Sequence, residues 1–239
     1  MTVIQTALRN KLLKSLLPED FSSLMPHLEL KEFELRQQLE EPGVPIKEAV
    51  FLESGIASIV AKSPKGRDIE IGLTGFEGVT GTSLLLGVHM TSHWTYMQLA
   101  GAGYAIAAEH LITAVAQSAT LRQHLLLFVE CFIVQAAATS LVNAQAQAET
   151  KLARWLLMVH DRSHGHELYL THEFMAVMLG VRRPWVTETL HVLEGKGFIR
   201  AARGKVTVLD RQGLIIHSGG FYGAAERAYK KLFSKSDHD

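Results

Sequence analysis

The chain has 239 residues, of which 47% are hydrophobic and 20% are charged, as expected for a folded protein with an ordinary apolar core. Its single cysteine excludes a disulfide framework and indicates a reducing compartment, for which we predict the cytoplasm. The net charge of zero hides an asymmetry: residues 1–150 carry 10 basic and 15 acidic side chains, whereas residues 151–239 carry 14 and 9. Such a basic C-terminal part is typical of a nucleic-acid-binding module joined to a module of another kind.

Short strands and regularly spaced glycines occupy residues 30–105. Strands are predicted over 50–52, 56–60 and 69–71, with a polar hairpin turn over 63–67. This pattern predicts a β-barrel or β-roll. No membrane span is expected, because the uncharged stretches carry Ser, Thr, Gln or His throughout.

Residues 111–147 lack Gly and Pro and predict one or two helices, the longer beginning near residue 121. Its apolar side chains lie on several faces, so the helix must be covered on several sides. Packing on its own domain covers one side, and we predict that a partner's copy covers another; the alternative is a fully buried helix of a monomer. The predicted dimer contacts are Leu125, Phe128, Phe132 and Thr139.

A helix-turn-helix follows an amphipathic helix over 149–160 and a polar loop over 161–167. Thr171 is an N-cap candidate for a short helix, and Gly180 suits the left-handed residue that ends it. Pro184 then suits the first turn of a second helix. The side chains predicted to face inward are Phe174, Val177 and Met178 on the first helix, and Val186, Leu190 and Leu193 on the second.

Two short strands around Arg203 and Gly204 complete a winged helix-turn-helix, in which the second helix enters the DNA major groove. Arginine can bond guanine bidentately, and glutamate can accept from cytosine. The predicted base-facing residues are Arg182, Arg183, Trp185, Thr187 and Glu188. The residues predicted to meet phosphates are Thr171, Arg203 and Lys205.

The segment 149–212 resembles the C-terminal domain of the CRP/FNR family of bacterial transcription regulators, and residues 10–18, 39–46, 51–55 and 75–81 resemble its opening helix and β-roll turns. The resemblance implies an α+β fold in three parts. These are a cyclic-nucleotide-binding-like β-roll sensor domain over 1–120, a dimerisation helix over 121–148, and a winged helix-turn-helix domain with a C-terminal helical tail over 149–239.

The resemblance also implies a homodimeric regulator that binds a double-stranded DNA operator, contacts RNA polymerase if it is an activator, and is not an enzyme. Family members that bind cyclic nucleotides hold the phosphate with a Gly-Glu pair followed by Arg-Ser or Arg-Thr. Here no Lys or Arg occurs from Gly78 through Leu121, and a buried phosphate without a cation would be costly. The corresponding residues, our candidates for contacts with an unidentified effector, are Thr82, Ser83, His93, Trp94 and Thr95.

We therefore expect neither cyclic AMP nor any other cofactor. Cys131 alone cannot supply the thiolates of an iron–sulfur cluster, and no metal site is predicted. The alternative function is a small-molecule-binding regulatory module whose helix-turn-helix mediates protein contacts. Salt dependence would separate the two, because phosphate contacts weaken steeply with added salt.

Overall fold

The structure, a computed structural model, describes residues 3–63 and 68–233. These residues divide into two compact units. The first unit comprises 3–59 and 73–132, and the second comprises 60–63, 68–72 and 133–233. Most of the hairpin turn predicted over 63–67, and the end of the C-terminal tail beyond 233, lie outside the described residues. The predicted division at residues 120 and 148 stays a prediction.

Ten α-helices, two short 3-10 helices (Gln5–Ala7 and Met25–His27) and ten strands occur in the described part of the chain. The helices are α1 (Lys11–Ser15), α2 (Pro18–Leu24), α3 (Thr82–Leu85), α4 (Ala108–Gln117), α5 (Ala119–Gln145), α6 (Ala148–Arg162), α7 (His172–Met178), α8 (Arg183–Gly195), α9 (Arg211–His217) and α10 (Ala224–Phe233). The strands are β1 (Glu29–Phe33), β2 (Gln38–Glu40), β3 (Glu48–Leu52), β4 (Ile56–Ala61), β5 (Ile69–Thr74), β6 (Trp94–Leu99), β7 (Gly101–Ala107), β8 (Glu167–Leu168), β9 (Ile199–Ala202) and β10 (Lys205–Val208).

The β-roll is built from two sheets of short strands. One sheet has the order β1-β7-β3, with Glu29 opposite Ala105 and Glu48 opposite Ala107. The other has the order β2-β6-β4-β5. One hydrophobic cluster in the core of the roll consists of Phe33, Val50, Leu52, Ala57, Met97 and Ala105. The predicted β-roll, long helix and C-terminal helix-turn-helix of an α+β fold are confirmed.

A buried asparagine fixes the start of α1 to the roll. The Asn10 side chain accepts the backbone N–H of Leu13 and donates to the carbonyls of Leu52 and Gly78, at 2.9 and 2.8 Å. Each polar atom of this fully buried amide therefore has a partner, as burial of a polar group requires.

Two of the four predicted dimer contacts on α5 are buried in the structure. Leu125 and Phe128 are buried by their own chain, and the Phe128 ring packs against Gly78 of the roll. These two side chains are therefore not free to meet a partner. Phe132 and Thr139 are half-buried, and the Thr139 hydroxyl accepts a hydrogen bond from Arg154 at 3.2 Å.

A different side of α5 is exposed and apolar. Leu126, Ile133 and Leu141 are 36%, 54% and 48% exposed. By length and composition α5 could cross a membrane, since an 18-residue window of it has a mean hydropathy of 2.1. The core helix of a soluble protein passes the same test, and 33% of this window is buried.

Helix α6 anchors the second unit. The four side chains predicted to face inward, Leu152, Trp155, Leu156 and Val159, are all buried. Neighbouring Arg154 is buried as well, and its Nε donates to the carbonyl of Phe221 at 3.2 Å. The buried Arg154 guanidinium therefore has hydrogen-bond partners.

Candidate DNA-binding surface

Helix α7 is short and capped at its N-terminus. The Thr171 hydroxyl accepts the backbone N–H of Phe174 at 3.1 Å, which confirms the predicted cap. Gly180 follows with φ of 64°, the predicted left-handed turn residue. The inward position predicted for Val177 is wrong: it is 41% exposed, and Met175 is buried in its place.

Helix α8 runs from Arg183 to Gly195 with Pro184 in its first turn, where a missing N–H costs little. Val186, Leu190 and Leu193 are buried, as their spacing of four and three predicts. One side of α8 is therefore fixed against the domain core, and the other is presented to solvent.

The wing is the hairpin of β9 and β10 around Gly204, which has φ of 73°. Sequence reasoning missed the third strand, β8, because two residues leave no periodic signal in a polar loop. Its Glu167 pairs with Lys205 of β10 at 2.7 Å, so the predicted phosphate contact Lys205 already holds a carboxylate. Each partner shifts the other's pKa, lowering that of Glu167 and raising that of Lys205.

The predicted contact residues differ in their exposure. The side chains that are open to solvent are those of Arg182, Arg183, Glu188 and Arg203, together with the cap Thr171. Trp185 and Thr187 are half-buried and lie on opposite flanks of α8, because residues two apart project about 200° apart on a helix. Arg183 and Thr187, four residues apart, therefore share one side of α8, and Trp185 and Glu188, three residues apart, share another.

A histidine that sequence reasoning left out joins the two helices of the motif. The His172 Nδ1 atom of α7 lies 2.9 Å from the Thr187 hydroxyl of α8. Burial lowers the pKa of His172, and the nearby Arg183 and His191 lower it further. The imidazole is therefore predominantly neutral at pH 7.

A cluster of charged and hydrogen-bonded side chains joins α6 to α9 in the same domain. Arg211 donates to His160 Nδ1 at 2.8 Å, so His160 carries its proton on Nε2 and donates to His166 at 3.2 Å. Arg211 also pairs with Asp161, which accepts from Tyr222. Within residues 3–63 and 68–233, no group of three or more His, Cys, Asp or Glu side chains is placed to hold a metal ion.

The candidate effector residues lie in the first unit. Thr82 and Ser83 begin α3, and Trp94 and Thr95 belong to β6, with His93 immediately before them. Thr95 is buried, and the other four are half-buried. Thr95 hydrogen-bonds Glu40, a buried carboxylate that sequence reasoning does not single out.

The fold and the exposed second helix define a β-roll protein with a winged helix-turn-helix. Residues 150–215 match the Crp-like helix-turn-helix domain. No curated protein sequence matches the chain.

Solved structures share the fold over most of the chain. A CRP/FNR-family regulator of Eubacterium rectale is 17% identical with a TM-score of 0.69, and the match covers 88% of this chain and 99% of that one. FixK2 of Bradyrhizobium japonicum is 14% identical with a TM-score of 0.69, over 82% and 98%. A CRP-family regulator of Thermus thermophilus is 18% identical with a TM-score of 0.66, over 79% and 96%. The chain thus carries a Crp-like helix-turn-helix domain and has the fold of the CRP/FNR regulators, which confirms the resemblance.

Proposed function

We propose that this protein is a sequence-specific DNA-binding transcription regulator of the CRP/FNR type. The observation that carries the proposal is the exposed pair Arg182 and Arg183 at the N-terminal end of α8, inside a matched Crp-like helix-turn-helix domain. In such domains the N-terminal end of the second helix meets base edges in the major groove.

Each contact residue has a proposed role that follows from its position. Arg183 reads a guanine bidentately, and Glu188, just over one turn further along, accepts from a cytosine amine. Thr171, at the N-terminus of α7, and Arg203 on the wing meet phosphates, as does Lys205 once it releases Glu167. Arg182 adds positive charge near the groove.

We further propose a homodimer that pairs through α5. Exposed residues recur on this helix at spacings of three or four, at Leu126, Glu130, Ile133, Ala137, Leu141 and Ala144. This stripe is what a second copy of the same helix would cover, because heptad-like spacing suits packing between helices. A two-fold dimer would present two copies of α8 to the two halves of a palindromic operator.

We propose that the roll responds to an effector other than a cyclic nucleotide, through Thr82, Ser83, His93, Trp94 and Thr95. The backbone N–H of Gly81, at the turn where a phosphate would be held, already donates to Glu40 at 2.9 Å. That N–H is therefore not free for a phosphate, and residues 78–121 contain no Lys or Arg that could pair with one.

We propose no iron–sulfur cluster or other cofactor. Cys131 is the sole cysteine, and burial raises the pKa of its thiol to about 11, with a further contribution from Glu130. One cysteine cannot supply the several thiolates that hold such a cluster.

A DNA-binding regulator of this kind acts in the cytoplasm, is not an enzyme, and contacts RNA polymerase if it activates transcription. Selection of bound sequences from random duplex DNA, with and without small metabolites from a cell extract, tests the proposal. We expect a palindromic consensus whose affinity falls steeply with added salt. Arg183→Ala should lose the preference at one base pair of each half-site, whereas Ile216→Ala, an exposed change on α9, should retain the full consensus. Failure of the wild type to enrich any sequence would contradict the proposed function.

A further inference from the structure

His172 stands at the junction of the two helices that form the DNA-binding surface. Its Nδ1 atom meets the Thr187 hydroxyl at 2.9 Å, and Thr187 in turn lies 3.3 Å from the carbonyl of Arg183. Arg183, Thr187 and His191 are four residues apart along α8, so they share one side of the helix. The imidazole therefore sits beside the proposed base-reading arginine.

The hydrogen-bond pattern allows this imidazole to gain a proton without breaking its contact. When His172 is neutral, Nδ1 accepts the hydroxyl proton of Thr187. When His172 is protonated, Nδ1–H donates to Thr187, whose own proton turns to the Arg183 carbonyl. Protonation thus adds a positive charge to the surface while the two helices remain joined.

The charges around His172 decide when this happens. In the free protein, burial disfavours the charged imidazole, and Arg183 and His191 on α8 oppose it as well. Its neighbour on α7, Glu173, is exposed. A DNA duplex brings a line of phosphates to the same surface, and their negative charge favours the protonated form.

We propose that His172 is a proton-coupled positioning residue of the DNA-binding surface: it holds Thr187 beside Arg183, and its protonated fraction rises when a duplex binds. This inference rests on the proposed DNA-binding function. Because the bound form carries more protons than the free form, affinity must rise as the pH falls. A rise of about one unit in the pKa of His172 on binding corresponds to about a tenfold gain in affinity per half-site.

The test measures affinity for a short duplex recovered by selection, at about pH 6 and about pH 8 and at one salt concentration. Wild-type protein should bind more tightly at the lower pH. His172→Gln keeps a polar partner for Thr187 but cannot be charged, so its affinity should match the wild type at about pH 8 and lose most of the gain at about pH 6. His172→Arg carries a fixed charge and should bind tightly at both pH values.

Two controls locate the titrating group. His89→Gln, an exposed change in the first unit, should keep the wild-type pH profile. His191→Gln should keep most of it, because His191 does not bond Thr187. Thermal unfolding identifies any variant that fails to fold, and His172→Arg then carries the test.

A wild-type affinity that does not change with pH, or a His172→Gln profile equal to that of the wild type, would overturn the inference. So would loss of the pH dependence in His191→Gln alone. Each of these results leaves sequence-specific binding itself intact. The proposed function fails separately, if no duplex is enriched by the wild type at either pH.

Discussion

The Glu40 carboxylate accepts the backbone N–H of Gly81 at 2.9 Å, at the turn that leads into α3. Glu40 is buried and also hydrogen-bonds Thr95, the residue opposite it in the pairing of β2 with β6. Burial raises the pKa of Glu40 above its ordinary value, against the lowering effect of these two bonds. The fold therefore holds an acid whose ionised form is disfavoured.

The first prediction follows from the sign of that shift. Between the ordinary pKa of 4.5 and the raised pKa of folded Glu40, the native state binds more protons than the unfolded state. Stability then falls as the pH rises through this window, and the full penalty remains above it. Glu40→Gln keeps an acceptor without the charge, so it should be more stable than the wild type at about pH 7.5 and nearly equal to it near pH 4.5.

Urea unfolding at the two pH values measures this difference as a shift of midpoint at constant slope. Glu40→Ala is the matched control, because it removes the acceptor and leaves a buried N–H unsatisfied. It should destabilise the protein by about 1–3 kcal/mol at either pH. A stability gap between Glu40→Gln and the wild type that shrinks as the pH rises would refute the argument.

The second prediction concerns cyclic nucleotides. Neither cyclic AMP nor cyclic GMP should bind tightly, since Glu40 occupies the Gly81 N–H and residues 78–121 contain no basic side chain. Titration calorimetry with each nucleotide should give no saturable heat. Micromolar affinity for either would show that the roll offers an anion site elsewhere.

A third prediction tests the helix pairing. Ile133→Asp, in the exposed stripe of α5, should give folded monomers that bind DNA weakly, because each half-site alone contributes too little. Sedimentation and thermal unfolding measure assembly and folding separately. Ile216→Asp, at a side chain 72% exposed on α9, is the control and should remain dimeric.

Phe128→Asp should instead unfold the first unit, since this ring packs over Gly78 inside the roll. A wild type that sediments as a monomer at micromolar concentration would exclude the dimer.

The fourth prediction separates base reading from charge. Arg183→Ala should cost about 1–3 kcal/mol of binding, concentrated at one base pair per half-site. The measurement compares the best duplex with each single-base variant of it. An equal loss for every variant would make Arg183 a phosphate anchor, and the readout would then belong to Arg182 or Trp185.

The wing provides the fifth prediction. Lys205→Ala should weaken binding to all sequences alike and flatten the salt slope by about one unit. Glu167→Gln should do the reverse and strengthen binding, because it frees Lys205 from the 2.7 Å ion pair. Fluorescence anisotropy over a salt series measures both. If Glu167→Gln leaves the affinity for DNA unchanged, Lys205 does not contact the DNA phosphates.

Local patterns were sufficient for the elements of the DNA-binding domain. A capping threonine, a left-handed glycine, an early proline and apolar residues at spacings of three and four act within a few residues of one another, so the sequence alone predicts α7, α8 and the wing. The same reasoning predicts an inward Val177 and a polar loop through Glu167 of β8, and in these two places the structure differs. A helix of two turns and a strand of two residues carry too few positions for a period to be read.

The sequence by itself therefore determined the class of fold, the position of the helix-turn-helix and the lack of basic residues over 78–121. Only the tertiary structure decided which apolar side chains of α5 are covered by their own chain, and that Glu40 meets Gly81, Lys205 meets Glu167 and His172 meets Thr187. The physical reason is the separation along the chain over which each kind of interaction acts. Helix caps and periodicity act between near neighbours in the chain, whereas burial, and the pairing and pKa shifts that follow from it, depend on residues 15 to 41 positions apart.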